Sequence, residues 1–362
     1  MKRTTTRKSY IGQDVFVGID VHKKNYYVVA RVNQEIVKKW TAPASPQKLG
    51  EQLIKYFGSG RIHTAYEAGF SGFALHRKLV SLGINSIVVH AAGIEVAVNN
   101  RVKTDKRDAT KLATLLEAKR LKGIHIPTEK EENQRLLTRT REQLVKDRTA
   151  VKNKIRMKFH QLGLIDYDEN HAMTHTLVKE ILILDVSREV IVVIQAYWRI
   201  WKSLDQEIRN IEQELKKQAE TDPNEPTYRS VPGVGKIGAR ILSNELGNMS
   251  QFHNERQLFS YTGLTPCEYS SGEAIRRGHI SKQGNSRLRA ILVEAAWRAI
   301  KKDSALEEFF NRLYPRTGKT RAIIAVARKL IGRIRAAFNK KEFYQIGYSN
   351  NNASSTSILQ LG

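Results

Sequence analysis

The sequence predicts an α/β domain built on a mixed sheet, then a helical coiled-coil insert, then a mainly α carboxy-terminal domain. Three observations carry this. Short apolar runs interleaved with helical segments fill residues 13–125; apolar residues three and four apart fill 128–222; glycine-punctuated helical sequence fills 228–345. The Ser/Asn-rich tail, 349–362, reads as disordered by composition.

The first strand, Val15 to Asp20, is followed by the turn His22-Lys23-Lys24-Asn25 and a second run, Tyr26 to Val32. Asn33-Gln34 makes a tight connection to Glu35–Trp40, giving a three-strand antiparallel start. Ser45-Pro46 opens a helix to about Phe57, because Pro suits the first helical turn. Ile62–Glu67 is the next strand, Ser71–Leu82 a helix, and Ile84–Val89 a strand. Asp105 to about Lys119 is a helix rich in Ala, Leu, Lys and Glu. This element order matches an RNase H-like fold.

In the insert, Leu137, Leu144 and Val151 lie seven apart, and Ile155 and Leu162 repeat that interval. Ile191, Ile194, Trp198, Trp201, Leu204, Ile208, Ile211 and Leu215 alternate steps of three and four. Such a seam needs a partner helix, supplied either by the same chain as an antiparallel hairpin or by a second copy. The first of these helices also carries Lys130, Arg135, Arg139, Arg141, Lys146, Arg148, Lys152, Lys154, Arg156 and Lys158, a solvated face or a nucleic-acid contact. Asp222-Pro223-Asn224-Glu225-Pro226 is a linker by composition.

Charge narrows the function. Among 362 residues, 61 Lys and Arg stand against 36 Asp and Glu, a net charge of +25. So large an excess attracts a polyanion, most commonly nucleic acid. No apolar run is long enough to span a bilayer, and the basic Lys2, Arg3, Arg7 and Lys8 have no apolar segment behind them. Cys267 is the only cysteine, so no disulfide forms within the chain. These features predict a cytoplasmic protein with no membrane partner.

Four carboxylates then stand out. Asp20 and Glu67 each close an apolar strand, and Asp105 and Asp108 are three apart on one helix face. Singly, each reads as a cap or a turn residue. As an ordered set they can hold two divalent cations. Hard oxygen ligands suit Mg²⁺, and two ions roughly 4 Å apart stabilise both the attacking and the leaving oxygen of a phosphodiester.

A second constellation lies downstream. Ser230-Val231-Pro232-Gly233-Val234-Gly235-Lys236 resembles a helix-hairpin-helix element, whose exposed N–H groups at a helix N-terminus suit a phosphate. Ser270-Ser271-Gly272 precedes Arg276, Arg277, His279, Lys282 and Arg287. A serine among these cations is a candidate nucleophile toward a phosphodiester; taken alone, Ser-Ser-Gly is also an ordinary turn.

Together these pieces resemble a known family, the transposases of bacterial insertion sequences of the "one-ten" type, also called DEDD transposases. The matching motifs are Gly18-Ile19-Asp20-Val21-His22-Lys23, Tyr66-Glu67-Ala68-Gly69 and Lys103-Thr104-Asp105-Lys106-Arg107-Asp108-Ala109. They continue with Val231-Pro232-Gly233-Val234-Gly235 and with Gly263-Leu264-Thr265-Pro266 through Ser271-Gly272 to Ser281-Lys282-Gln283-Gly284. The resemblance implies a RuvC-like amino-terminal domain in which Asp20, Glu67, Asp105 and Asp108 bind Mg²⁺, with Mn²⁺ as its substitute. It implies that Ser271 forms a covalent phosphoserine link to DNA. It further implies donor and target DNA as substrates, a structured guide RNA, and dimers assembling to tetramers on the bacterial nucleoid. Nucleic-acid contacts are expected at Gly233, Gly235, Lys236, Arg276, Arg277, Lys282 and Arg287. Two other readings compete: a RuvC-like nuclease, such as a junction resolvase, in which Ser271 is structural, and a non-catalytic nucleic-acid-binding protein.

Overall fold

The computed structural model describes residues 9–91, 94, 105–166, 172–268 and 277–347. The chain forms two compact units, Met1–Ile126 and Pro127–Gly362.

In the first unit, β1 (Asp14–Val21), β2 (Asn25–Val32), β3 (Glu35–Pro43), β4 (Arg61–Glu67) and β5 (Asn85–Val89) form one sheet in the order β3-β2-β1-β4-β5. The first three pair antiparallel, and β4 joins β1 and β5 in parallel. This mixed sheet with helices on its faces is consistent with an α/β RNase H-like domain.

Period-two alternation divides each strand between two faces. Val15, Val17 and Ile19 of β1, Tyr26, Val28 and Ala30 of β2, and Ile62 and Tyr66 of β4 enter one buried core. Helices α1 (Pro46–Phe57) and α2 (Ala74–Ser81) close that face with Leu49, Leu53, Phe57, Leu75 and Leu79. The Ser45 hydroxyl caps α1 by accepting from the Lys48 N–H, and Pro46 begins it. Helix α2 starts three residues later than the sequence suggests, because 71–73 form a turn with Gly72 at φ 57°. Helix α3 (Asp105–Glu117) covers the other face, and Lys119, at φ 55°, ends it.

The second unit begins with α4 (Glu129–Gln161), whose Thr128 and Glu131 form a reciprocal capping box. Then come α5 (His175–Ile183) and α6 (Arg188–Thr221). Arg141 pairs with Glu212 and Arg148 with Asp205, so α4 and α6 run antiparallel. The α6 seam is closed within this one chain: Ile194, Trp201, Ile208 and Leu215 are all buried. Ile194 and Trp201 meet Val151, Ile155 and Phe159 of α4 and Val178 and Ile181 of α5. Leu162 is not part of that seam; it caps α4 and is 45% exposed, and Phe159 takes the buried position. The imidazole of His175 stacks on Trp201 at 4.0 Å, accepts from Trp198 Nε1 at Nδ1 and donates to Asp205.

The rest is helical: α7 (Glu225–Arg229), α8 (Lys236–Leu246), α9 (Glu255–Thr262), α10 (Ser286–Ala299), α11 (Ser304–Thr317) and α12 (Lys319–Lys340), with a two-stranded ribbon, β6 (Pro266–Glu268) and β7 (Arg277–Ile280), between α9 and α10. Residues 222–226 are no free tether. Asp222 and Glu225 both pair with Arg240, which is 2% exposed, and burial pushes the Glu225 carboxyl up while Arg240 opposes that shift. Tyr228 donates to the Gly247 carbonyl at 2.7 Å.

Because the seam is internal, Ile208→Ala is expected to destabilise the chain by about 2–5 kcal/mol without altering its oligomeric state. Urea unfolding followed by circular dichroism, paired with light scattering, measures both.

Candidate active site and nucleic-acid contacts

The acids of the first unit converge by register. Ile19 pairs with Tyr66, so the next step along the two parallel strands sets Asp20 beside Glu67. Both lie in phase with Gly18 and Ala65, on the sheet face away from the α1–α2 core. Phe16 and His63, in phase with them, stack at 5.3 Å on that same face.

Gly18 sets how α3 lies there. A Cβ at position 18 would come within 2.0 Å of the Ala109 carbonyl oxygen and 2.5 Å of the Ala113 nitrogen. Only a glycine admits the helix so close. At its far end, Glu117 of α3 accepts from Arg31 Nε at 2.7 Å and from the Gln34 N–H at 2.5 Å. Arg31 pairs with Phe16, so α3 runs from the Asp20 end of β1 toward its start. The first turn of α3, with Asp105 and Asp108, therefore lies toward Asp20. Asp108 is half-buried, whereas the Asp105 side chain and residues 103–104 lie outside the described residues.

Among the described residues, no three His, Cys, Asp or Glu side chains form a ready-made metal cluster. What the fold provides is a pair of hard oxygen donors, Asp20 and Glu67, and a third, Asp108, on the helix that faces them. That donor chemistry fits a divalent cation of the Mg²⁺ type. His22 adds a contact that motif spacing alone did not single out: its Nε2 lies 3.0 Å from Asp20 Oδ2. The readable signal was its place two residues beyond Asp20, just past the end of β1.

In the second unit, Gly233 adopts φ 87°, with its α-carbon against the Ala295 carbonyl, and Gly235 caps α8 in open space. Gly233, Val234 and Gly235 share a depression with Arg298, Lys301 and Lys302, and the neighbouring Lys236 is exposed. Three cations thus surround the turn, and none of them was singled out from the sequence.

The ribbon after α9 is fixed at its base. Gly263 (φ 67°) and Gly284 (φ 126°) press against one another's backbone, where a Cβ on either would meet a carbonyl oxygen at 2.5–2.6 Å. Ser281 N–H donates to Thr265 O and Asn285 N–H to Tyr261 O, both at 2.8 Å. Asn285 also caps α10 and donates to the fully buried Glu245, which Arg139 of α4 grips through two bonds of 2.9 and 3.0 Å. Ser270, Ser271 and Arg276 lie outside the described residues, as does the Arg277 side chain. Lys282 is exposed at φ 54°, and Arg287 pairs with Glu142.

The basic run on α4 is largely spent on packing. Arg135 is buried and donates to the Asn244 and Glu245 carbonyls; Arg139, Arg141 and Arg148 pair with Glu245, Glu212 and Asp205. Lys152 sits over the Trp201 ring at 4.9 Å. Arg135 and Arg139 thus hold the hairpin to α8, while Arg141, Arg148 and Lys152 hold its two long helices together.

Gly18→Val is expected to push α3 off β1 and to destabilise the chain by roughly 3 kcal/mol, as read by urea unfolding.

Comparison with known proteins gives these sites a family. A DEDD transposase model of the IS110 type matches residues 17–163, and one described as the IS116/IS110/IS902 transposase family matches residues 227–311. A putative transposase of Sinorhizobium fredii, y4qE, is 31% identical over 303 residues, covering 79% of this chain and 72% of its own. The transposase for insertion sequence element IS1111A of Coxiella burnetii is 28% identical, over 75% of this chain and 76% of its own. The transposase for insertion sequence element IS1533 of Leptospira borgpetersenii is 27% identical, over 90% and 95%. A DEDD transposase domain implies a divalent cation, and the chain belongs to the IS116/IS110/IS902 family of DNA transposases.

Proposed function

We propose that the protein excises and inserts its own mobile element by a serine-mediated recombination, directed by a structured guide RNA that pairs with donor and target DNA. The observation that carries the carboxylate half is the register of β1 and β4, which sets Asp20 and Glu67 side by side facing α3. Asp20, Glu67, Asp105 and Asp108 would hold Mg²⁺, or Mn²⁺ in its place, which when bound offsets negative charge at the phosphodiester. Ser271 is the nucleophile: its Oγ loses a proton and bonds to phosphorus as the DNA P–O bond breaks, and the released DNA oxygen takes up a proton. The ester keeps the energy of the broken bond, so a DNA hydroxyl can reverse the step and rejoin a strand. Gly233, Gly235, Lys236, Arg276, Arg277, Lys282 and Arg287 contact nucleic acid, and Arg298, Lys301 and Lys302 extend the contact at the glycine turn.

Residues 13–125 act as the catalytic domain, 128–222 as an assembly region, and 228–345 as the serine-bearing domain with its helix-hairpin-helix. Dimers pairing into tetramers bring carboxylates and serines of different copies together on the nucleoid. The hairpin supports this through apolar residues left exposed near its tip: Ile183 (83%), Val192 (55%) and Ile200 (48%).

Asp20→Asn or Glu67→Gln is expected to abolish strand transfer while leaving the fold and RNA binding intact. Ser271→Ala is expected to lose a protein–DNA adduct that survives denaturing electrophoresis, and Ser270→Ala to keep it. Cleavage at the normal rate in Ser271→Ala would instead make the protein a carboxylate nuclease with a structural serine. Sequencing the RNA retained at raised salt tests the guide, since non-specific polyanion is released as salt rises. Ile200→Asp is expected to reduce the assembled mass in light scattering with little change in helicity.

A further inference from the structure

The carboxyl ends of β1 and β4 present more than acids. After Glu67, the chain enters a turn held at several points. Ala68 N–H donates to Val89 O at 2.8 Å, Gly72 N–H to Gly69 O at 3.3 Å, and the buried Tyr66 hydroxyl donates to Gly72 O at 3.1 Å. His76 N–H completes it by donating to that hydroxyl at 3.3 Å. At the crest of this fastened turn stands Phe70, 73% exposed. A phenyl ring held in water by a fixed backbone beside a carboxylate pair offers a face on which a planar base can stack. On the neighbouring strand end, the β1–β2 turn exposes Lys23 and Lys24 directly after His22 and Asp20. Aromatic surface on one side of a carboxylate pair and two ammonium groups on the other is the pattern by which proteins grip an unpaired strand. Cations take the phosphates and a ring takes a base, with no need to read sequence.

We propose that Phe70 stacks on an unpaired DNA base next to the cleaved phosphodiester, while Lys23 and Lys24 hold the phosphates on the opposite side of Asp20 and Glu67. This assignment rests on reading those two acids as the cleavage site. The two lysines and the ring then fix which phosphodiester lies over the carboxylates: the ring halts the strand at one base, and the lysines set the direction in which it leaves. The contact is made to the DNA in single-stranded form, since a ring cannot stack on a base still paired and stacked within a duplex.

The test uses the full chain with its co-purified RNA and DNA of the element's end, 2-aminopurine being placed singly at each position around the cleaved bond. Binding is followed with chelator present, so that neither metal nor serine chemistry contributes. At one position, quenching by the native protein is expected to persist in Phe70→Trp and to vanish in Phe70→Ala and Phe70→Leu. Affinity for the single-stranded segment should fall roughly tenfold in Phe70→Ala. The double variant Lys23→Gln, Lys24→Gln is expected to keep the quench and to flatten the salt dependence by about 1.4 in log–log slope. Unaltered quenching in Phe70→Ala would overturn the stacking, and an unaltered slope would overturn the lysine contact. Full affinity in Phe70→Leu would also overturn it, because leucine satisfies an apolar protein contact and not a stacked base. Loss of cleavage in Asp20→Asn is scored separately, so failure of the carboxylate reading would be seen even with Phe70 stacked as proposed.

Discussion

The missing side chain at Gly18 governs the first unit. Because nothing projects from that point of β1, the backbone of α3 comes to rest directly on the sheet, at Ala109 and Ala113. Helix and strand then lie in backbone contact, which short side chains on the helix permit: Ala109 and Ala113 form a buried cluster with Val29 of β2. This packing is what turns a sequence interval into a site. Asp108 comes one residue before Ala109, so the contact that seats the helix also limits how far its first turn can stand from Asp20. The Arg31–Glu117 pair at the opposite end fixes the direction. Seating and direction together bring the first turn of α3 to the Asp20 end of the sheet.

The second unit depends on a different kind of constraint, buried charge in closed networks. Glu245 has no exposure to water and is tolerated because Arg139 and Asn285 both bond it. Arg240 is in the same position with Asp222 and Glu225. Such groups are costly to leave unpaired, so they tie α4, α8 and the start of α10 into one arrangement more strictly than apolar packing alone would. The ribbon between α9 and α10 starts from that arrangement, and its base inherits the rigidity.

Much of this was legible in the chain. Short apolar runs located all five strands of the main sheet; β4 ends at Glu67 as the sequence placed it, and β1 runs one residue past Asp20. The α6 seam, steps of three and four from Ile191 to Leu215, was legible to the residue, but not whose helix would close it; that depends on tertiary pairing with α4. The fate of the basic run was hidden for the same reason. Arg139 and Glu245, or Arg148 and Asp205, lie far apart in sequence, so a pattern read along one helix shows cations without their partners. The late start of α2 was missed because the left-handed turn at Gly72 interrupts a sequence that is otherwise helical in composition. His22 was read only as part of a turn and Phe70 carried no signal in the sequence; only the packed strand ends show what stands beside them.

The antiparallel pairing of α4 with α6 also has a metric consequence. Thirty-three residues of α4 at ~1.5 Å each make a rod of about 50 Å. One turn of a nucleic-acid duplex advances about 35 Å, so the rod is as long as nearly one and a half turns. Its core residues recur every seventh position, a spacing of about 10 Å, and no bend-inducing proline interrupts either helix. A stiff element of this length fixes the distance between its two ends. Deleting or adding whole heptads in both helices together would alter that distance in steps of about 10 Å, some three base pairs, without disturbing the packing that keeps the rod straight.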